Sequence, residues 1–359
     1  MLGFTKLLQS LKGETLDFTI AAFLIQDGLT NGAIYALLGL ALVLVFSVTR
    51  VIFIPQGEFV AYGAMTLAFL DTGRFPATAT LLLVFGVIAF LLDLWDNRTR
   101  LNIPALLRNV GLNLALPAAI YILALVLAPM QASALVKALL TIIIIAPMGI
   151  YVYRIAYKPL ADASVLVLLI VSVGVHLALM GLGLVFFGAE GLRARPLSSG
   201  MFSLGFLPVS AQSIWIYGAT IAIIVGLYLF FEKTLLGKAL RATAVNRLGA
   251  RLVGVRTQLT GVTAFVLAAT IGAVSGILIG PIATIYYDTG FLIGLKGFVA
   301  AIIGGLASFP ITAVAAIGVG IVESFTSFYA SAFKEIIVFG LIIPVLIWLS
   351  ISVTVHEDE

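Results

Sequence analysis

Residues 233–256 read KTLLGKALRATAVNRLGARLVGVR, and what flanks them decides the fold. Before them runs IWIYGATIAIIVGLYLFFE (214–232), and after them QLTGVTAFVLAATIGAVSGILIGP (258–281). Each flank is apolar over about the 20 residues a helix needs to cross a bilayer. The segment between holds six basic residues, Lys233, Lys238, Arg241, Arg247, Arg251 and Arg256, and no acidic one. A polar stretch between two spans lies outside the lipid, and its one-sided charge assigns it to the cytoplasmic face. It is too long for a simple turn and too short for a domain, which suits a surface made to be touched.

The same apolar pattern recurs along the whole chain. Of 359 residues, 62% are hydrophobic and only 10% charged, with a mean hydropathy of +1.20. Soluble domains carry about 25% charged residues, so a soluble class is excluded. The runs are continuous rather than alternating, so each must satisfy its own backbone as a helix and not as a barrel strand. The expected spans are 20–49, 52–70, 77–95, 109–130, 137–157, 163–187, 214–232, 258–281, 291–306, 309–329 and 334–352. This is an all-α integral membrane bundle of about 9–11 spans, some short or broken, in a single domain over 1–359. The run 291–306 is short and holds Lys296, as a half-helix would. Residues 1–19 lack the apolar core and cleavage site of a signal peptide and read as an amphipathic segment on the bilayer surface. The net charge of +4 belongs to retained loops and gives no argument for nucleic acid. With no cysteine and only His176 and His356, no disulfide, thiol or histidine-rich metal site is expected.

Alternating outward from a cytoplasmic 233–257 puts Arg50, the segment Asp93–Arg108, Arg154 and Lys158 on that same side. The C-terminal VHEDE is then cytoplasmic and the N-terminus external. Arg193 and Arg195, in the longest external loop (188–213), run against this rule, as do Lys6 and Lys12. Trp95, Trp215 and Trp348 fall at span ends, where amphipathic aromatics collect.

The chain carries no engine of its own. Gly237-Lys238 resembles the end of a phosphate-binding loop, but Ala239 follows where Ser or Thr must hold magnesium. Glu232 also stands at the leading glycine position. No paired carboxylates, Ser/His/Asp set or metal-ligand cluster marks an enzyme, and no cofactor is implied. The spacing predicts one helix over Leu240–Val253 with Gly254 as its stop. Ala250 and Gly254 lie one turn apart, with Leu252 and Val253 beside them. A small-residue face flanked by arginines suits a cleft on another protein, although the same basic helix would also bind anionic lipid heads. Glu58, Lys296 and Glu323 fall within apolar spans, where an ionisable group faces a bundle interior or a water-filled path. They serve either as a path or gate or as structural pairs between helices. His176, alone on an apolar helix, reads as a hydrogen-bonded packing residue, and Asp27 reads as snorkelling to the surface. Gly272, Gly276 and Gly280 recur every fourth position and make one smooth face for a neighbouring helix. Gly304-Gly305, followed by Ser308 and Pro310, marks a tight break that serves packing or a hinge.

These residues together resemble a known family. Gly237-Lys238-Ala239-Leu240-Arg241-Ala242, then Ala250 and Gly254, resemble the coupling segment of branched-chain amino acid permeases of ABC importers, and Arg247 and Arg251 fall within the same loop. Val245-Asn246 stands where that family carries an acidic pair. Asn31-Gly32 with Tyr35-Ala36-Leu37, and Ile52–Glu58 with Gln56, Gly57 and Glu58, are similar to its first two helices. Phe53 and Gln56 replace an Asn and a His there. Gly290-Phe291, Lys296, Phe298, Ala300, Gly304-Gly305, Ser308, Pro310, Glu323, Tyr329 and Phe333-Lys334-Glu335 follow its last third, and 85–135 looks like an insertion.

The resemblance implies a multi-pass inner-membrane permease subunit of an ATP-driven importer for branched-chain or related amino acids. It implies as partners two ABC ATPase subunits, a second permease subunit (the same chain or a different one) and an extracytoplasmic substrate-binding protein, all around a lipid bilayer. The coupling loop is 233–257. Asn31, Tyr35 and Gln56 join Glu58, Lys296 and Glu323 as translocation-path or gate candidates. The alternative function is a stand-alone secondary transporter or channel driven by an ion gradient, which would require one of those charged groups to titrate or bind an ion.

Overall fold

The computed structural model describes residues 18–96, 103–130, 132–204 and 207–347. The N-terminal segment up to residue 17, Trp348 and the C-terminal VHEDE lie outside the described residues. In chain order the helices are α1 (Phe18–Thr49), α2 (Gln56–Asp71), α3 (Ala77–Asp96), α4 (Ile103–Val110), α5 (Leu116–Leu127), α6 (Ala134–Val152) and α7 (Val165–Phe187). A hairpin, β1 (Met201–Leu204) and β2 (Leu207–Ser210), precedes α8 (Ala211–Lys233). The basic segment folds as α9 (Leu235–Val245) and α10 (Arg247–Leu252). α11 (Thr257–Ile279), α12 (Thr289–Ile303), α13 (Phe309–Tyr329) and α14 (Lys334–Gly340) follow.

Among the described residues, eight helical segments are long and apolar enough to cross a membrane, and all eight coincide with expected spans. α2 and α12, at 16 and 15 residues, are too short for a free span. They are tolerated because protein rather than lipid surrounds them. α1 is the axis: from Gly32 to Val45 every residue is buried, the mark of a helix apolar all round and enclosed on every side. Its most extensive packing is against α13, which runs antiparallel to it. A Cβ on Gly28 would come 2.6 Å from the Ile321 Cα, and one on Gly32 would come 2.8 Å from the Ile317 Cα. Small residues here let backbones approach, since lipid supplies no hydrophobic drive between helices. The Gly272/Gly276/Gly280 stripe of α11 lies largely on α2: a Cβ on Gly276 would come 2.7 Å from the Ala64 nitrogen, and one on Gly272 2.7 Å from the Phe59 Cβ. Helices α3 to α8 surround this centre and keep exposed apolar faces, such as Leu91, Leu123, Leu166 and Tyr228.

The loops grouped by charge gather at one end. Leu44 and Val48 of α1 share a cluster with Leu240 of α9 and Ala264 of α11. Arg154 pairs with Asp93 and, at 2.7 Å, with Asn113. Arg247 donates to the Ala161 carbonyl at 2.6 Å. Thr49, Asp93, Asn113, Arg154 and the whole basic segment therefore lie at the same end of the bundle. At the far end Lys137 meets Asp71 at 3.3 Å, the Arg195 backbone nitrogen donates to Asp71 at 2.8 Å, and Gln26 donates to Pro208 of the hairpin at 3.2 Å. Arg193, which broke the charge rule, donates to the Pro281 and Ile282 carbonyls just past the end of α11. A cation there is held by the carbonyls of the turn beyond the helix, so its place is set by those acceptors rather than by topology.

Candidate functional site

Three assemblies use the residues singled out by sequence. The first is the basic segment. Thr234 caps α9 by accepting from the Gly237 nitrogen at 2.9 Å, and Gly237 packs on the Phe230 carbonyl of α8 so closely that no side chain would fit. Gly237, Leu240 and Thr243 form the buried face of α9. The expected single helix over Leu240–Val253 is broken in two. Asn246 takes an extended backbone, and its side chain accepts from the Gly249 nitrogen at 2.8 Å, so it starts a second helix where continuation was expected. Asparagine favours this position because its carbonyl satisfies a donor that the first turn leaves open. Gly254 ends the segment with φ at 86°, a conformation glycine adopts without Cβ strain.

Within this hairpin the charged and small residues divide their tasks. Arg247 and Arg251 approach Asp162 at 3.7 and 3.2 Å, and Arg251 also donates to Thr257 at 3.1 Å, so both hold the segment against the bundle. Arg241 pairs with Glu232 at 2.8 Å. Ala250 is turned inward and buried, while Ala242 and Gly254 are exposed. Beside exposed Lys233, Lys238, Asn246 and Arg256, apolar side chains are left without cover: Val245, Leu248, Leu252 and Val253 are each 68–81% exposed. Sequence reasoning noticed Leu252 and Val253 but gave no weight to Val245 and Leu248.

The second assembly is a buried charge cluster. Glu323 of α13 accepts from Lys296 of α12 at 2.5 Å and from the Tyr35 hydroxyl of α1 at 2.6 Å. Side chains in a helix lean toward its N-terminus, so Tyr35 and Glu323 converge from antiparallel helices. Lys296 also lies 3.3 Å from Glu335, and Lys334 lies 3.6 Å from Glu323 and 3.5 Å from Glu335. Two cations and two carboxylates thus balance one another. Lys334 and Glu335, adjacent at the start of α14, were legible only as members of a family pattern. Asn31 sits beside this group, donating to Asp27 at 3.4 Å, and Ser324 donates to the same carboxylate at 3.0 Å. Asp27 is exposed, as a residue reaching the surface would be, and the Ser324 bond also ties it to α13.

The third assembly is at the start of α2. Glu58 is fully buried and meets the Nδ1 of His176, on α7, at 2.9 Å. The His176 ring stacks on Phe291 with centroids 4.5 Å apart. Gln56 donates to the Ala268 carbonyl at 3.0 Å. The second Glu58 oxygen and the Gln56 side-chain oxygen have no hydrogen-bond partner among the described residues. Structure thus joins Gln56, Glu58 and His176, and separately joins Tyr35, Lys296 and Glu323. Gly304, Gly305 and Pro310 belong to neither group. Gly304 closes α12, Gly305 and Leu306 take positive φ of 63° and 54°, and Pro310 sits in the first turn of α13, which Ser308 caps.

Comparison with known proteins agrees with this architecture. The family model described as "Branched-chain amino acid transport system / permease component" matches residues 24–346. The chain is 29% identical over 215 residues to the high-affinity branched-chain amino acid transport system permease protein BraD of Pseudomonas aeruginosa, covering 58% of this chain and 70% of that one. It is 30% identical over 213 residues to the permease protein LivH of Escherichia coli, covering 57% and 69%. No solved structure gives a significant match.

Proposed function

This chain belongs to the family of branched-chain amino acid transport permease components, and from that premise we propose that it is the membrane subunit of an ATP-driven importer for branched-chain or related amino acids. It works as a permease dimer with a second subunit in the inner membrane. Two separate ATPase subunits dock on the basic segment at the cytoplasmic end, and an extracytoplasmic binding protein delivers substrate at the far end. One observation carries the reading. A capped helical hairpin, pinned to the bundle by Arg247 and Arg251 on Asp162, presents Val245, Leu248, Leu252 and Val253 uncovered. Exposed apolar side chains ringed by charge are the anatomy of a docking surface. Because α9 packs on α1 through Leu240, a push on the hairpin reaches the central helix directly.

The experiment is co-purification of the tagged chain with its ATPase subunits, together with ATP-dependent uptake. Leu248→Asp with Leu252→Asp should abolish both while leaving the chain folded in the membrane. Unchanged assembly and uptake would overturn the docking assignment. Ion-gradient coupling is less well supported, because Glu323, Lys296 and Glu58 are each engaged with a neighbouring side chain. Uptake into liposomes driven by a proton or sodium gradient, with no ATPase present, would reverse that preference.

A further inference from the structure

Between the basic hairpin and the bundle lies an apolar cavity of about 480 Å³, within the range of small-molecule sites. Its walls include Leu44 and Val48 of α1, Leu227 and Phe231 of α8, Ala244 of α9 and Phe309 of α13. Ile224 and Tyr228, both exposed on α8, also line it, so its wall reaches the outer surface of the bundle. Arg241 also lines it. The Arg241 guanidinium pairs with Glu232, and Lys233 and Lys238 act on that same carboxylate. Three cations thus share one anion where α8 leaves the membrane, and a net positive charge stands over an apolar slot.

That combination selects the occupant. A water-soluble anion gains nothing from apolar walls, and a neutral lipid gains nothing from the cations. An anionic phospholipid matches both, with a chain reached laterally from the bilayer and a phosphate at the depth of the headgroups. We propose that this cavity binds one acyl chain of an anionic phospholipid whose phosphate rests on Arg241, Lys238 and Lys233. The lipid then fills the space between α9 and the α1–α8–α13 wall and becomes part of the element that carries motion from the hairpin to α1. Binding itself needs no ATPase, so it can be tested whether or not the transport reading holds.

The test is native mass spectrometry of the full chain released from nanodiscs of equal phosphatidylglycerol and phosphatidylcholine. Wild type should retain phosphatidylglycerol at least tenfold over phosphatidylcholine. Ala244→Trp, which fills the cavity, and Arg241→Gln with Lys238→Gln, which leave its apolar walls intact, should each lower that retention at least fivefold. Leu123→Trp, on the exposed face of α5, should not. The chain has no cysteine, so Ser47→Cys, on the cavity wall, provides a single label. Phosphatidylglycerol vesicles should slow its alkylation at least fivefold, whereas phosphatidylcholine vesicles and inorganic phosphate should not. Equal retention of the two lipids, undiminished retention in both variants, or protection by phosphate alone would overturn the proposal. So would a disulfide between two Tyr228→Cys chains, which would assign the groove to a second copy of this chain.

Discussion

Replacing Lys296 by methionine keeps the side-chain stem and removes only the charge, which isolates the energetics of the buried cluster. Lys296 is 7% exposed and Glu323 8%, so neither charge is well solvated. Without Lys296, Glu323 keeps the Tyr35 hydroxyl at 2.6 Å and Lys334 at 3.6 Å. Breaking one partner out of a buried ion pair costs about 3–5 kcal/mol, because the remaining charge stays away from water. Lys334 is 30% exposed and can swing toward Glu323, which places the expected loss near the low end, about 3 kcal/mol. Removing both charges with Lys296→Met and Glu323→Leu takes away the orphan. What remains is the Tyr35 hydroxyl without its acceptor, worth about 1–2 kcal/mol. The double variant should thus be more stable than either single variant, with a coupling of about 3 kcal/mol or more. Unfolding titrations in mixed micelles, followed by circular dichroism, measure all four corners of the cycle. If Lys296→Met alone changes stability by less than about 0.5 kcal/mol, or if the two losses add, the buried pairing is refuted.

Four further outcomes follow from other parts of the structure. His176→Ala should destabilise the bundle by about 2 kcal/mol, since Glu58 would have both oxygens unpartnered in a fully buried place; His176→Leu combined with Glu58→Leu should recover most of it in the same titration. Gly276→Val should cost about 1–3 kcal/mol or more, because its Cβ meets α2 backbone. Gly226→Ala, where nothing lies within 4 Å, should gain about 0.5–1 kcal/mol. Asn246→Ala removes the cap of α10 and should cost about 1 kcal/mol locally, read as faster proteolytic cleavage between residues 245 and 250 and weaker ATPase co-purification.

Much of the architecture was legible because bilayer physics is nearly one-dimensional. Span 309–329 was read from apolar length alone and matches α13 to the residue. Loop charge likewise grouped Asp93, Arg154 and the basic segment, which meet at one end. The glycine period in α11 was visible because four residues return to one helix face. The break at Asn246 was missed although its cap is local, reaching only to Gly249, because one polar residue in a basic run also reads as an exposed helical position. Asp93 and Arg154 each read as an ordinary loop charge, and nothing local says that they pair.

The sequence by itself determined that this is a helical membrane protein, where its spans lie and which segment is its basic loop, because hydropathy and charge are properties of neighbouring residues. Its order of motifs was also enough to suggest the family to which it belongs. Only the tertiary structure decided that Glu58 faces His176, that Lys296 and Tyr35 share Glu323, and that Ala250 turns inward while Leu248 and Val253 face out. Those choices depend on which helices touch and at what level. The contacts join residues up to 288 positions apart, and all apolar spans look alike to one another until they are packed.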